Sequence, residues 1–194
     1  MSFLDKIAAA VMPPESDQDR VDARRKAQSI AAPGEWLEVI LDQHRQIEAA
    51  FLKALTSGDG ASRQAALKEL AVVLTGHANA EESVLYPALA DNGEKGGAGM
   101  AFEEQAMTKI QLAKLETLDP MSQEWREKLE HIRGAVLHHM YEEEGTWFPK
   151  LHEKVPESHQ ARLTQRFLEE FNRYVGKDAR HSTPQQMAAQ IPTN

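Results

Sequence analysis

One short phrase occurs twice in this chain, as His77-Ala-Asn-Ala-Glu81-Glu82-Ser-Val-Leu-Tyr86-Pro87 and as His139-Met-Tyr-Glu142-Glu143-Glu144-Gly-Thr-Trp-Phe148-Pro149. In each copy the His and the first Glu are four apart, one helical turn, so their side chains leave the same helix face. That spacing suits metal ligands, and it fixes two long helices that aim an imidazole and an acid in one direction.

Four long helical patterns follow a polar, charged link around Glu15 to Arg25, and β-type alternation is almost absent. The first starts after Pro33-Gly34 with the stripe Leu37, Ile40, Leu41, His44, Ile47, Phe51 and Leu55, and Ser57-Gly58-Asp59-Gly60 ends it. The second carries Leu67, Leu70, Leu74, His77, Glu81, Val84 and Leu85, and Pro87 is expected to close it. A Gly-rich loop from Asp91 to Gly99 precedes the third, which uses Ala101, Gln105, Thr108, Leu112 and Leu115. Asp119-Pro120 reads as the N-cap and first residue of the fourth, whose stripe is Trp125, Leu129, Ile132, Val136, His139, Glu143 and Trp147. A fifth, shorter amphipathic helix spans about Ser158 to Val175.

The expected domains are an N-terminal helical arm and linker over 1–32, a helical bundle with its fifth helix over 33–176, and a polar, disordered tail over 177–194. Within the arm, Phe3, Leu4, Ile7 and Val11 suit a short amphipathic helix rather than an export signal, since Asp5 sits beside the apolar run. No stretch reaches the ~20 apolar residues of a membrane span. A net charge of −8 argues against nucleic acid and anionic membranes, and the cytoplasm is the expected compartment. With no cysteine, a metal site has to be built from imidazole and carboxylate, which points to iron, zinc or manganese.

Periodicity assigns His44, His77, Glu81, His139 and Glu143 to buried faces. Burying an ionised carboxylate without a partner costs several kcal/mol, so a cation is expected between them. His⁺–Glu pairs are the metal-free alternative. His138 lies about 100° around the helix from His139 and reads as a surface residue or an outer neighbour of the site. His131, His152, His159 and His181 read as structural or solvated. If helices three and four repeat helices one and two, the counterpart of His44 is Gln105, a weaker donor, with Glu104 beside it as a substitute.

His44, the doubled phrase and the four-helix order resemble the hemerythrin-like, or HHE cation-binding, family over roughly Glu35 to Pro149. The resemblance implies an all-α, up-down-up-down four-helix bundle with two irons near its centre, here flanked by the N-terminal arm and the additional C-terminal helix. It implies that His44 and His77 bind one iron, His139 the other, and that Glu81 and Glu143 bridge. Two departures follow: the third helix supplies no histidine, and in hemerythrins the last carboxylate lies five residues after its His, which would choose Glu144, whereas stripe and repeat favour Glu143. Tyr86 is the aromatic residue at the site's edge with a proton to offer.

Ferritin-like Glu-x-x-His spacing and the zincin motif are both absent. Three functions stay open: a non-haem iron protein that binds or senses O2, NO, peroxide or iron itself; a di-iron oxidoreductase consuming peroxide or NO, or oxidising iron; and a structural or interaction module with a degenerate site.

Overall fold

The computed structural model describes residues 15–176. Its elements are α1 (Asp17–Gln28), α2 (Trp36–Thr56), α3 (Gly60–Ala80), a π-helical turn π1 (Glu81–Leu85), α4 (Tyr86–Asp91), α5 (Lys95–Leu115), α6 (Gln123–Glu142), a second π turn π2 (Glu143–Trp147), α7 (Phe148–Lys154) and α8 (Glu157–Val175). There is no strand among the described residues, and none of their helices is long and apolar enough to cross a membrane. The expected apolar helix at Phe3 to Val11 and the tail after Gly176 lie outside the described residues.

The long helices pack as a bundle whose interior falls into two apolar clusters. One gathers Trp36, Leu37, Ile40, Leu85, Phe148 and Phe167, and the other Ile47, Phe51, Leu70, Leu115, Trp125 and Leu129. Along α2, α3, α5 and α6, the buried polar residues His44, His77, Gln105 and His139 fall where one cluster gives way to the other. The bundle therefore carries a polar layer inside an otherwise apolar core.

Several boundaries differ from the sequence expectation. Pro87 and Pro149 do not end their helices: they stand just inside α4 and α7, directly after the π turns. In those turns the N–H groups of Tyr86 and Phe148 reach back five residues, to the carbonyls of Glu81 and Glu143. The widened turn makes room for a proline that would collide with an unbroken α-ladder.

The Gly-rich stretch is mostly helix, because α5 starts at Lys95. A Cβ built on Gly97 would lie 2.9 Å from Nε1 of Trp147, so glycine is set there by close packing rather than by a loop. Asp119 and Pro120 lie in a turn, and Ser122 is the residue that caps α6 through Trp125 N–H. The polar link from Glu15 to Arg25 is largely α1, opened by a Ser16–Asp19 capping box. Its low apolar content hid a helix that stands on docking rather than on a stripe of its own.

Candidate metal centre

Each π turn begins on a ligand-type glutamate, so the break in helical register re-aims Glu81 and Glu143 inward at the end of α3 and of α6. Glu81 and Glu143 are fully buried, as are His44 and, to within a few per cent, His77. One donor atom from each of His44, His77, Glu81 and Glu143 lies within 4.8 Å of the other three. These are the atoms with unspent bonding capacity: His44 Nε2, His77 Nε2, Glu81 Oε1 and Glu143 Oε2 are buried without a hydrogen-bond partner. His44 Nε2 stands 3.3 Å from Glu143 Oε2, and His77 Nε2 3.1 Å from Glu81 Oε1, close but outside hydrogen-bond geometry.

The far side of each ring is committed. His44 Nδ1 pairs with Glu144 at 2.7 Å, and His77 Nδ1 with Gln43 Oε1 at 2.8 Å. Holding Nδ1 in this way fixes the tautomer and turns Nε2 to the centre, the arrangement seen around metal-binding imidazoles. Two imidazoles and two carboxylates with unspent lone pairs, converging in a water-poor core, fit a transition-metal ion.

A second donor set adjoins the first. His139 Nε2 lies 3.1 Å from Glu143 Oε1, and its Nδ1 pairs with Glu104 at 2.8 Å. The Tyr86 hydroxyl sits within this set, 2.9 Å from His139 Nε2 and from Glu143 Oε1 and 3.2 Å from Glu81 Oε2. Gln105 donates from Nε2 to Tyr86 at 2.5 Å and to Glu81 Oε2 at 2.6 Å. Glu81 and Glu143 thus present one oxygen to the first cluster and the other to Tyr86.

The charges are strongly coupled. Burial opposes a charged His44 ring, but the adjacent carboxylates of Glu143 and Glu144 outweigh it and raise its pKa to about 9. Burial likewise opposes charge on His139, yet Glu143 and Glu104 hold its pKa well above the ordinary imidazole value. Burial would push Glu143 up, but His139 and His44 hold it far below the usual carboxylate range. Burial, and next the charges of Glu143 and Glu81, keep Tyr86 protonated well past the normal phenol range.

The remaining sequence candidates separate cleanly. Glu144 and Glu104 back His44 and His139 from outside, and Gln105 reaches the centre as the counterpart of His44. His138 does not adjoin the site: 44% of its side chain is exposed and it pairs with Glu15 at 2.8 Å. His152 pairs with Glu35, away from the centre. Sequence reasoning missed Gln43, which precedes a stripe histidine with no pattern of its own, and Arg24, which stood in a segment read as linker.

The hemerythrin HHE cation binding domain matches residues 37–151, more than half of the chain. The chain belongs to this family. A DNA nickase of Nostoc sp. (strain PCC 7120 / SAG 25.82 / UTEX 2576) is 28% identical over 111 residues, 57% of this chain and 32% of the nickase. The HHE chain thus spans about a third of that curated relative's length. No solved structure matches it.

Proposed function

We propose that this HHE-domain chain holds iron at His44, His77, Glu81 and Glu143 and uses it to bind or sense O2, NO, peroxide or iron itself. The observation that carries the reading is the convergence of four buried donor atoms that have no other partner. Zinc and manganese suit the same donors, and iron is favoured by the family's character. Bound iron would supply a redox-active centre with a position open to a small ligand. The short Ser57–Asp59 connection between α2 and α3 supports the up-down order that brings these donors together.

The protein's own residues do the rest. Gln43 and Glu144 orient the rings. A cavity of about 20 Å³ lies beside His77, His139 and Gln105, walled by Ile47, Leu74, Leu112, Val136 and Met140. That volume suits one water-sized molecule, which favours a diatomic or peroxide ligand over any larger substrate. The second donor set closes on Tyr86, so we assign one tight metal position and a weaker second one at His139.

Tyr86 favours a second reading, an oxidoreductase acting on peroxide or NO, because its hydroxyl stays protonated and keeps a hydrogen-bond donor at the centre. Sustained peroxide consumption by the iron-loaded chain would select this reading, and binding without turnover selects the first. A net charge of −8 repels phosphate and so disfavours DNA as a substrate. The test of the site is anaerobic titration with ferrous iron: tight binding that His77→Ala removes is expected. An unaltered fold with no tight metal uptake would leave a degenerate module held by His⁺–Glu pairs.

A further inference from the structure

The helix α1 lies outside the region matched by the family, yet it reaches the metal centre. Arg24 donates from Nε to both oxygens of Glu144, at 3.0 and 3.1 Å, and from Nη2 to Oε1 at 2.9 Å. Its two terminal nitrogens also grip both oxygens of Glu48 on α2, at 2.9 Å each. Glu144 is 2% exposed, and its Oε1, which takes two of these bonds, also pairs with His44 Nδ1 at 2.7 Å. A continuous chain of contacts therefore runs from α1 through Arg24 and Glu144 to the His44 ring.

The rest of α1 is fitted to the same place. Ala23 and Ala27 are buried, Lys26 Nζ donates to the Gly145 carbonyl in π2 at 2.8 Å, and a Cβ on Gly145 would lie 3.3 Å from that of Ala23. With so few apolar residues, α1 gains its hold from Arg24 and these small close contacts. A guanidinium fork suits this task because it engages two carboxylates in fixed geometry, which an ammonium does not.

We infer that α1 is a strap whose docking is coupled to metal binding, with Arg24 as the positioning residue that sets His44 through Glu144. This rests on the metal centre proposed above. Coupling of this kind is reciprocal: whatever factor the docked strap adds to metal affinity, bound metal adds to strap docking. The loaded protein holds α1 down, and the metal-free protein releases it more often.

Hydrogen exchange over residues 17–28 of the full-length chain, with and without ferrous iron added anaerobically, tests this directly. Iron is expected to slow exchange across α1 severalfold in the wild type. Arg24→Gln is expected to abolish that difference and to weaken iron binding about tenfold, the low end for residues that orient a ligand. Arg24→Lys, which keeps the charge without the fork, should fall between the two and decides the matter if the glutamine variant does not fold. Iron uptake with unchanged α1 exchange, or variants that bind iron as the wild type does, would overturn the strap while leaving the centre intact. A wild-type chain that takes up no iron would overturn both.

Discussion

At the scale of single residues, the layer between the two apolar clusters is a set of imidazoles and acids that are stable only together. Tyr86 touches more of that set than any ligand-type residue, so Tyr86→Phe removes a hydroxyl that donates to Glu143 and accepts from Gln105. A loss of about 1–3 kcal/mol is expected in the metal-free protein, the usual cost of a buried polar group left unpaired, and denaturant melts would measure it. Peroxide reactivity of the iron-loaded variant should change as well, whereas His138→Ala should leave iron binding as it is. The pH dependence follows from the shifted groups. His44 is raised from 6.5 to about 9, so in the metal-free protein its stabilising contribution is complete below about pH 6.5 and is lost as pH rises through 9. Glu144 is lowered, with burial opposing and His44 and Arg24 prevailing, so its contribution is present above the ordinary carboxylate range and is lost on acidification. Metal-free stability should therefore peak in mildly acidic solution and decline towards pH 9, and thermal melts across that range check it. A stability that climbs steadily from pH 6 to 9 would contradict the assignment.

At the scale of helices, the stripes through His44, His77 and His139 were legible because 3.6-residue periodicity marks a buried face whether its residues are apolar or polar. The repeat even located Gln105, whose amide reaches the centre that its position in the duplication implied. What the sequence concealed were the breaks. A proline after an aromatic residue reads as a stop, but the five-residue turns at Glu81 and Glu143 let both helices continue, and only the packed bundle decides between those outcomes. Gly97 was hidden in the same way, since its reason is Trp147, fifty residues on. Gly97→Ala should cost about 1–3 kcal/mol through overpacking against that indole, lowering the denaturation midpoint without changing the slope. Helix α1 was the least legible element, because its hold comes from Arg24 and close backbone approach rather than from a hydrophobic period.

At the scale of the whole molecule, a bundle that buries three acids, Glu81, Glu143 and Glu144, beside three imidazoles in its polar layer is expected to gain stability from a bound cation. Metal at a hundredfold excess over its Kd should stabilise the fold by about 2.7 kcal/mol, a rise of roughly 5–10 °C in Tm for a chain of this size, reversed by chelation. Binding should also release protons, because the charged rings must give them up to coordinate. The most direct measurement is the metal bound per chain after anaerobic loading with ferrous iron and desalting, for the wild type beside His77→Ala and Glu81→Ala. One tightly held equivalent in the wild type, a second lost on washing, and none in either variant is the expected result. A folded wild type that retains no iron, zinc or manganese would contradict it.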